Sequence, residues 1–142
     1  MRTVKLLLFI LAITMANIRA SAKEDAWVNA DYGENYEWWV FVSDNIKLSD
    51  AKYDYVKVWV KWEYSSPQVA AEFNTTAHHS LQLYEFKYDF SEFRILQVID
   101  YDKSSKLISR SNHPSPREYV VPGSVGESIA ETTQEIIRKL KE

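Results

Sequence analysis

The chain has 142 residues, a length that fits one domain, and a formal charge of −3. No basic excess is present to hold nucleic acid or adhere to anionic lipid. It contains no cysteine, which excludes a thiol nucleophile, a cysteine metal site, a disulfide and a lipid-modified cysteine anchor.

Arg2 and Lys5 precede an almost wholly apolar run, Leu6–Met15, and Ala20-Ser21-Ala22 has the small-residue pattern of a cleavage site. This predicts a secretory signal peptide over residues 1–22. The apolar run is too short for the roughly 20 residues that a membrane span needs. Cleavage removes Arg2, Lys5 and Arg19 and no acid, taking the formal charge from −3 to −6. The expected destination is the periplasm, cell surface or medium, reached by the Sec pathway. Residues 23–36 are polar and read as a flexible arm, with a short strand or turn near Gly33. The folded domain is expected over 37–142.

Glu37–Ser43 alternates, with Trp38, Val40 and Val42 on one face and Trp39 and Phe41 on the other. Ser43-Asp44-Asn45 is turn chemistry, and Ile46–Leu48 is at most a short strand. After a second turn at Ser49–Lys52 comes Tyr53–Tyr64, the strongest period-two pattern in the chain. Val56, Val58, Val60, Trp62 and Tyr64 fall on one side; Tyr55, Lys57, Trp59, Lys61 and Glu63 fall on the other. Pro67 ends the strand, and Val69–Phe73 has the composition of one helical turn.

Ser80–Phe90 alternates again, with Tyr84, Phe86, Tyr88 and Phe90 pointing one way. A tight connection at Ser91-Glu92 leads into Phe93–Asp102, read with Phe93, Ile95, Ile99 and Tyr101 on one face. Such a connection implies an antiparallel hairpin. Lys106–Ser111 is a further strand, Asn112–Arg117 a proline-punctuated loop, and Glu118–Val121 a brief extended piece. Ser124-Val125-Gly126-Glu127 is a capping box. It opens a helix to about Leu140 whose apolar stripe is Val125, Ile129, Ile136, Ile137 and Leu140. Acids come early and bases late, as the helix dipole prefers. The predicted fold class is α+β: a single antiparallel sheet of five to six strands with a C-terminal helix packed on one face.

The order of these motifs resembles the surface-adhesin protein E family of exported bacterial domains. The pieces that carry the resemblance are Trp39–Ser43, Val56–Lys61, Phe93–Leu96, Tyr101-Asp102 and above all Val121–Glu127 before the helix. The resemblance spans about Glu37 to Leu140. It implies a sheet of about six strands with the helix on its concave side, and attachment to host matrix or serum proteins or self-association. It also implies a strand-to-helix disulfide, for which the regions near Tyr88–Phe90 and Thr133–Gln134 supply no cysteine. Closing a loop of about 45 residues would stabilise by about 4 kcal/mol. Neither that bridge nor the lipid anchor of some relatives is available here.

Catalytic and metal signatures are not expected. His78-His79 are adjacent, which on a strand sends them to opposite faces, and no metal-ligand spacing surrounds them. His113 precedes Pro114 in a loop, and Asp100 and Asp102 read as solvated carboxylates. No nucleophile elbow or P-loop lysine occurs. Asn74-Thr75-Thr76 is a formal glycosylation sequon. The expected function is therefore a non-enzymatic exported binding domain with no cofactor. Its candidate partner surface is Tyr55, Lys57, Trp59 and Lys61, an indole between lysines on the sheet face away from the helix. The alternative is a carrier for an apolar or aromatic small molecule held between helix and sheet near Trp62 and Tyr84. An enzyme or inhibitor of unknown class is the third reading, and a deep polar pocket would favour it.

Overall fold

The computed structural model describes residues 26–30, 37–48 and 54–142. The expected signal peptide, most of the arm with Gly33, and the turn at Ser49–Lys52 lie outside them. The described chain is α+β. Its strands are β1 (Trp27–Asn29), β2 (Trp38–Ser43), β3 (Lys47–Leu48), β4 (Tyr55–Tyr64), β5 (His79–Lys87), β6 (Glu92–Tyr101), β7 (Leu107–Ser111) and β8 (Glu118–Tyr119). Its helices are α1 (Pro67–Glu72) and α2 (Val125–Leu140). All eight strands form one antiparallel sheet, ordered β1-β2-β4-β5-β6-β7, with β3 also on β4 and β8 also on β6. That is two or three strands more than the five to six expected. The additions are short pieces at the margins: β1 falls within the presumed arm, and β8 forms from the brief extended segment.

The alternation in β4 sorts its two faces. Val56, Val58 and Val60 are sealed, and opposite them across the ladders stand Phe86, Tyr84 and Val42. Ile129, Ala130 and Ile136 of α2 close over this layer. Pro122-Gly123 makes the turn into α2: the Ser124 N–H donates to the Val121 carbonyl, and Gly123 takes φ +76°, the conformation that a type II turn demands there. The Glu127 N–H donates to Ser124 Oγ at 3.2 Å, while the Glu127 carboxylate accepts from Gly123 N at 2.7 Å. The glutamate thus reaches back one residue further than the simple box, because Ser124 N is already used in the turn.

The structure corrects four expectations. Leu140 is 63 % exposed although it belongs to the predicted stripe. The last helical turn lies beside the three-residue edge strand β1, which has little surface to offer, and Leu140 and Val28 border an open groove there. Tyr88 is also exposed: β5 stops at Lys87, and the hairpin turn is closed by Phe90 N donating to the Lys87 carbonyl at 2.8 Å. In β6 the register shifts between Leu83↔Gln97 and Tyr84↔Ile95, leaving Leu96 extra. That bulge puts Phe93 and Ile95 on the helix side and Ile99 and Tyr101 on the other face. Finally, the helical turn expected over Val69–Phe73 starts two residues earlier, as the six-residue helix Pro67–Glu72, capped by Ser66 Oγ accepting from Val69 N at 3.2 Å and carrying proline in its first turn.

Candidate functional site

Residues directly across a ladder share a face, so the register maps the side of the sheet away from α2. One row runs Trp39, Glu63, His79, Tyr101; the next runs Phe41, Lys61, Leu81, Ile99. A third pairs Trp59 with Leu83, and a fourth carries Lys47, Lys57 and Glu85. The expected stripe of Tyr55, Lys57, Trp59 and Lys61 does lie on this face, and its members have different surroundings. Lys61 Nζ is 3.1 Å from Glu63 Oε1 and lies over the rings of Phe41 and Trp27, 4.9 and 5.3 Å from their centroids. Tyr55 is half-buried under the Arg117 guanidinium, 4.5 Å from its ring centroid. Trp59 and Lys57, with Asn45, Lys47 and Leu83, line a hollow of about 250 Å³.

Arg117 comes from the loop after β7 and crosses the sheet to reach Glu85. That carboxylate is 5 % exposed and accepts from Arg94 Nε at 2.8 Å and Arg117 Nη2 at 2.9 Å through one oxygen. The charge of Glu85 is thereby committed. Lys47 and Lys57 stand directly opposite each other and form no ion pair among the described residues. Like charges so placed are unfavourable unless something acidic joins them. Trp39, 40 % exposed, extends the apolar part of the face toward β1. Phe41, Lys47 and Leu83 were not assigned to the site from sequence. Each has the right parity on its own strand, and only the ladder register brings them beside Trp59.

A second cavity, of about 340 Å³, lies on the helix side. Trp62 and Tyr84, where the carrier expectation placed a ligand, line it with Phe93, Ile95, Val125 and Ile129. The Trp62 indole N–H is sealed from solvent; the group it meets is the Tyr84 hydroxyl, and it makes no hydrogen bond of good geometry among the described residues. Burial pushes the Tyr84 hydroxyl far above its ordinary pKa, with the Trp62 N–H opposing that rise, so it stays protonated. Beyond the cavity, Trp38, Trp62, Tyr64 and Phe73 form an aromatic cluster, with ring centroids 5.2–5.9 Å apart.

Of the polar residues singled out earlier, His79 lies on the open face, in the row of Trp39 and Glu63, and the others are separate from both places. His78 and His79 do converge, Nδ1 to Nδ1 at 3.3 Å, and His79 stacks on Tyr101 at 5.0 Å. Among the described residues no three metal-binding side chains come together. Asp100 is not a plain solvated carboxylate. It accepts hydrogen bonds from the hydroxyls of Ser80, Thr75 (3.2 Å) and Ser109 (3.3 Å), tying β5, the segment before it and β7 to one strand. Asp102 caps the next turn, accepting from Ser104 N and Lys106 N. His113 is exposed in its loop. No family model, curated protein or solved structure matches this chain.

Proposed function

We propose that this is an exported, non-enzymatic binding domain that contacts a protein partner through the sheet face opposite α2. The observation that carries the proposal is the clustering of Trp39, Phe41, Trp59 and Leu83 on adjacent strands beside Lys47 and Lys57, which form no ion pair among the described residues. Aromatic anchors supply much contact area at little entropic cost. The lysine pair favours a partner that presents an acidic side chain next to an apolar one. The signal-peptide pattern and the motif order shared with surface adhesins support the same reading, with a matrix or serum protein, or a second copy of this chain, as partner.

The test is binding of the protein to immobilised serum and matrix proteins, with sedimentation to detect self-association. Replacing Trp59 and Trp39 together with alanine is expected to abolish the interaction while leaving the circular dichroism spectrum intact. A folded double variant that binds as well as the parent would remove this face from consideration. The cavity at Trp62 and Tyr84 favours a second capacity, carriage of a small apolar or aromatic molecule.

A further inference from the structure

We propose that the hollow beside Trp59 seats a phosphorylated tyrosine of a partner protein, with the doubly charged phosphate between Lys47 and Lys57 and the ring against Trp59 and Leu83. The proposal rests on the reading of the open face as a protein-contact surface and adds the chemistry of the group that enters it. The lining residues, Asn45, Lys47, Lys57, Trp59 and Leu83, are all half-buried or exposed, so a guest can reach each of them. They supply two ammoniums, one amide and an apolar wall, and no carboxylate. A volume of about 250 Å³ is below the usual range for a free small-molecule ligand and suits one side chain delivered by a larger partner.

The lysines set the charge of the guest. Lys47 and Lys57 are directly opposite on β3 and β4, form no ion pair among the described residues, and repel each other until an anion joins them. A carboxylate brings one negative charge and leaves one ammonium unmatched. A phosphate monoester brings about −1.5 to −2 at pH 7 and matches both. Lysine meets phosphate as a point charge and needs no planar fork to do so. The surroundings favour the higher charge. Lys57 is across the ladder from Glu85, and Glu85 from Arg94, while Arg117 joins the same carboxylate. This end of the face sets four cations against one buried acid, in a chain whose formal charge is −3. Trp59 and Leu83 set the rest of the guest. They are paired across β4 and β5, two residues along from Lys57 and Glu85, a step of about 7 Å. Phosphotyrosine joins an aromatic body to a dianion within one side chain. Phosphoserine lacks the aromatic body, and an acidic residue lacks the second charge.

Titration of the protein with short alanine peptides carrying one central residue tests this, at low ionic strength and with tryptophan fluorescence as the readout. The central residue is phosphotyrosine, tyrosine, sulfotyrosine (the same shape with a single charge) or phosphoserine. Phosphotyrosine is expected to bind about tenfold or more tighter than tyrosine, as one charge-assisted hydrogen bond allows, and severalfold tighter than the other two. Lys47→Gln and Lys57→Gln should each lose that tenfold for phosphotyrosine and leave tyrosine within about twofold. Both variants should melt no lower than the parent, because each deletes one of two repelling charges. Lowering the pH from 7.5 to 5 protonates the phosphate, whose second pKa is about 6, and should weaken phosphotyrosine binding while leaving sulfotyrosine unchanged. Equal binding of phosphotyrosine and tyrosine would overturn the phosphate. Sulfotyrosine as tight as phosphotyrosine would overturn the need for two charges, and phosphoserine as tight would overturn the aromatic body. Preferential capture of vesicles containing phosphatidic acid, lost in the lysine variants, would overturn the protein source and assign the hollow to a lipid headgroup. A parent that captures serum or matrix proteins through Trp39 and Trp59 but binds none of the four peptides would overturn this inference alone. A parent that does neither would overturn the contact-surface reading as well.

Discussion

Glu85 shows how much of the open face depends on single side chains. It is a buried acid within a strand, and two guanidiniums, Arg94 from the next strand and Arg117 from a loop 32 residues on, meet on one of its oxygens. Removing one partner of such a group leaves the others uncompensated, typically at about 3–5 kcal/mol. Arg94 and Arg117 are each about one-third exposed, which lowers the expectation for Glu85→Ala to about 3 kcal/mol in urea unfolding. Arg117→Ala should cost less, since Arg94 still pairs. It should also uncover Tyr55, read as faster quenching of tyrosine fluorescence by iodide. None of this was legible in the sequence: Tyr55 could be placed on a face by parity, but its cover comes from a residue 62 positions away. His79 carries a pH dependence. Burial, then the positive charges of His78 and Lys61, lower its pKa below the usual imidazole value, against the opposing pull of Glu63 and Asp102. A depressed folded-state value means its contribution is whole above about pH 6.5 and is lost as the pH falls through the folded pKa. His79→Phe keeps the ring on Tyr101 and removes the titration. Between pH 7.5 and 5 the variant should lose less melting temperature than the parent; equal losses would show that His79 does not contribute.

At the scale of elements, what the sequence announced depended on whether the signal was local. The serine cap of α2 and the strict alternation of β4 are written in neighbouring residues, and both form as expected; only the glutamate of the box shifts its partner to Gly123 N. The bulge in β6 is not. Ile95, Leu96, Val98 and Ile99 are apolar on both faces, so the pattern cannot say where one residue is skipped. Helix α1 was expected as a turn over Val69–Phe73, and its start is marked by Ser66 followed by Pro67, an N-cap and first-turn pair that also reads as a strand stop. The helix α2 stripe was right where it crosses the middle of the sheet and failed at the end. Ile129 is fully buried and Leu140 is mostly exposed. Ile129→Ala should therefore destabilise by about 2–5 kcal/mol through the lost contacts and the residual cavity. Leu140→Ala should stay within about 0.5 kcal/mol, the usual range for a surface change. Comparable costs at the two sites in chemical denaturation would mean that the last turn packs more firmly than its exposure implies.

For the whole molecule, the decisive feature is that, among the described residues, the helix closes one side of the sheet and leaves the other open. Strands β4 and β5 are paired to each other from end to end and sit at the centre of the order, under α2. Strands β1, β3, β7 and β8 are between two and five residues long, and every residue of β7 is exposed. Opening such a margin breaks a few hydrogen bonds and exposes little apolar area, so it occurs far more often than global unfolding. Hydrogen exchange followed by mass spectrometry should find the amides of Val56–Trp62 and Leu81–Phe86 protected to the limit of global stability, and those of β1 and β7 exchanging orders of magnitude faster. Protection of β7 equal to that of β4 would contradict this division. The division bears on binding in two ways. Trp59 and Leu83 sit on the two most protected strands, so the centre of the open face is presented on a rigid base and needs little ordering when a partner arrives. Trp27 and Trp39 sit at the loose end, so a partner that covers them must also order that margin. Protection gained in β1 on adding a partner would therefore report how far the contact extends beyond Trp59.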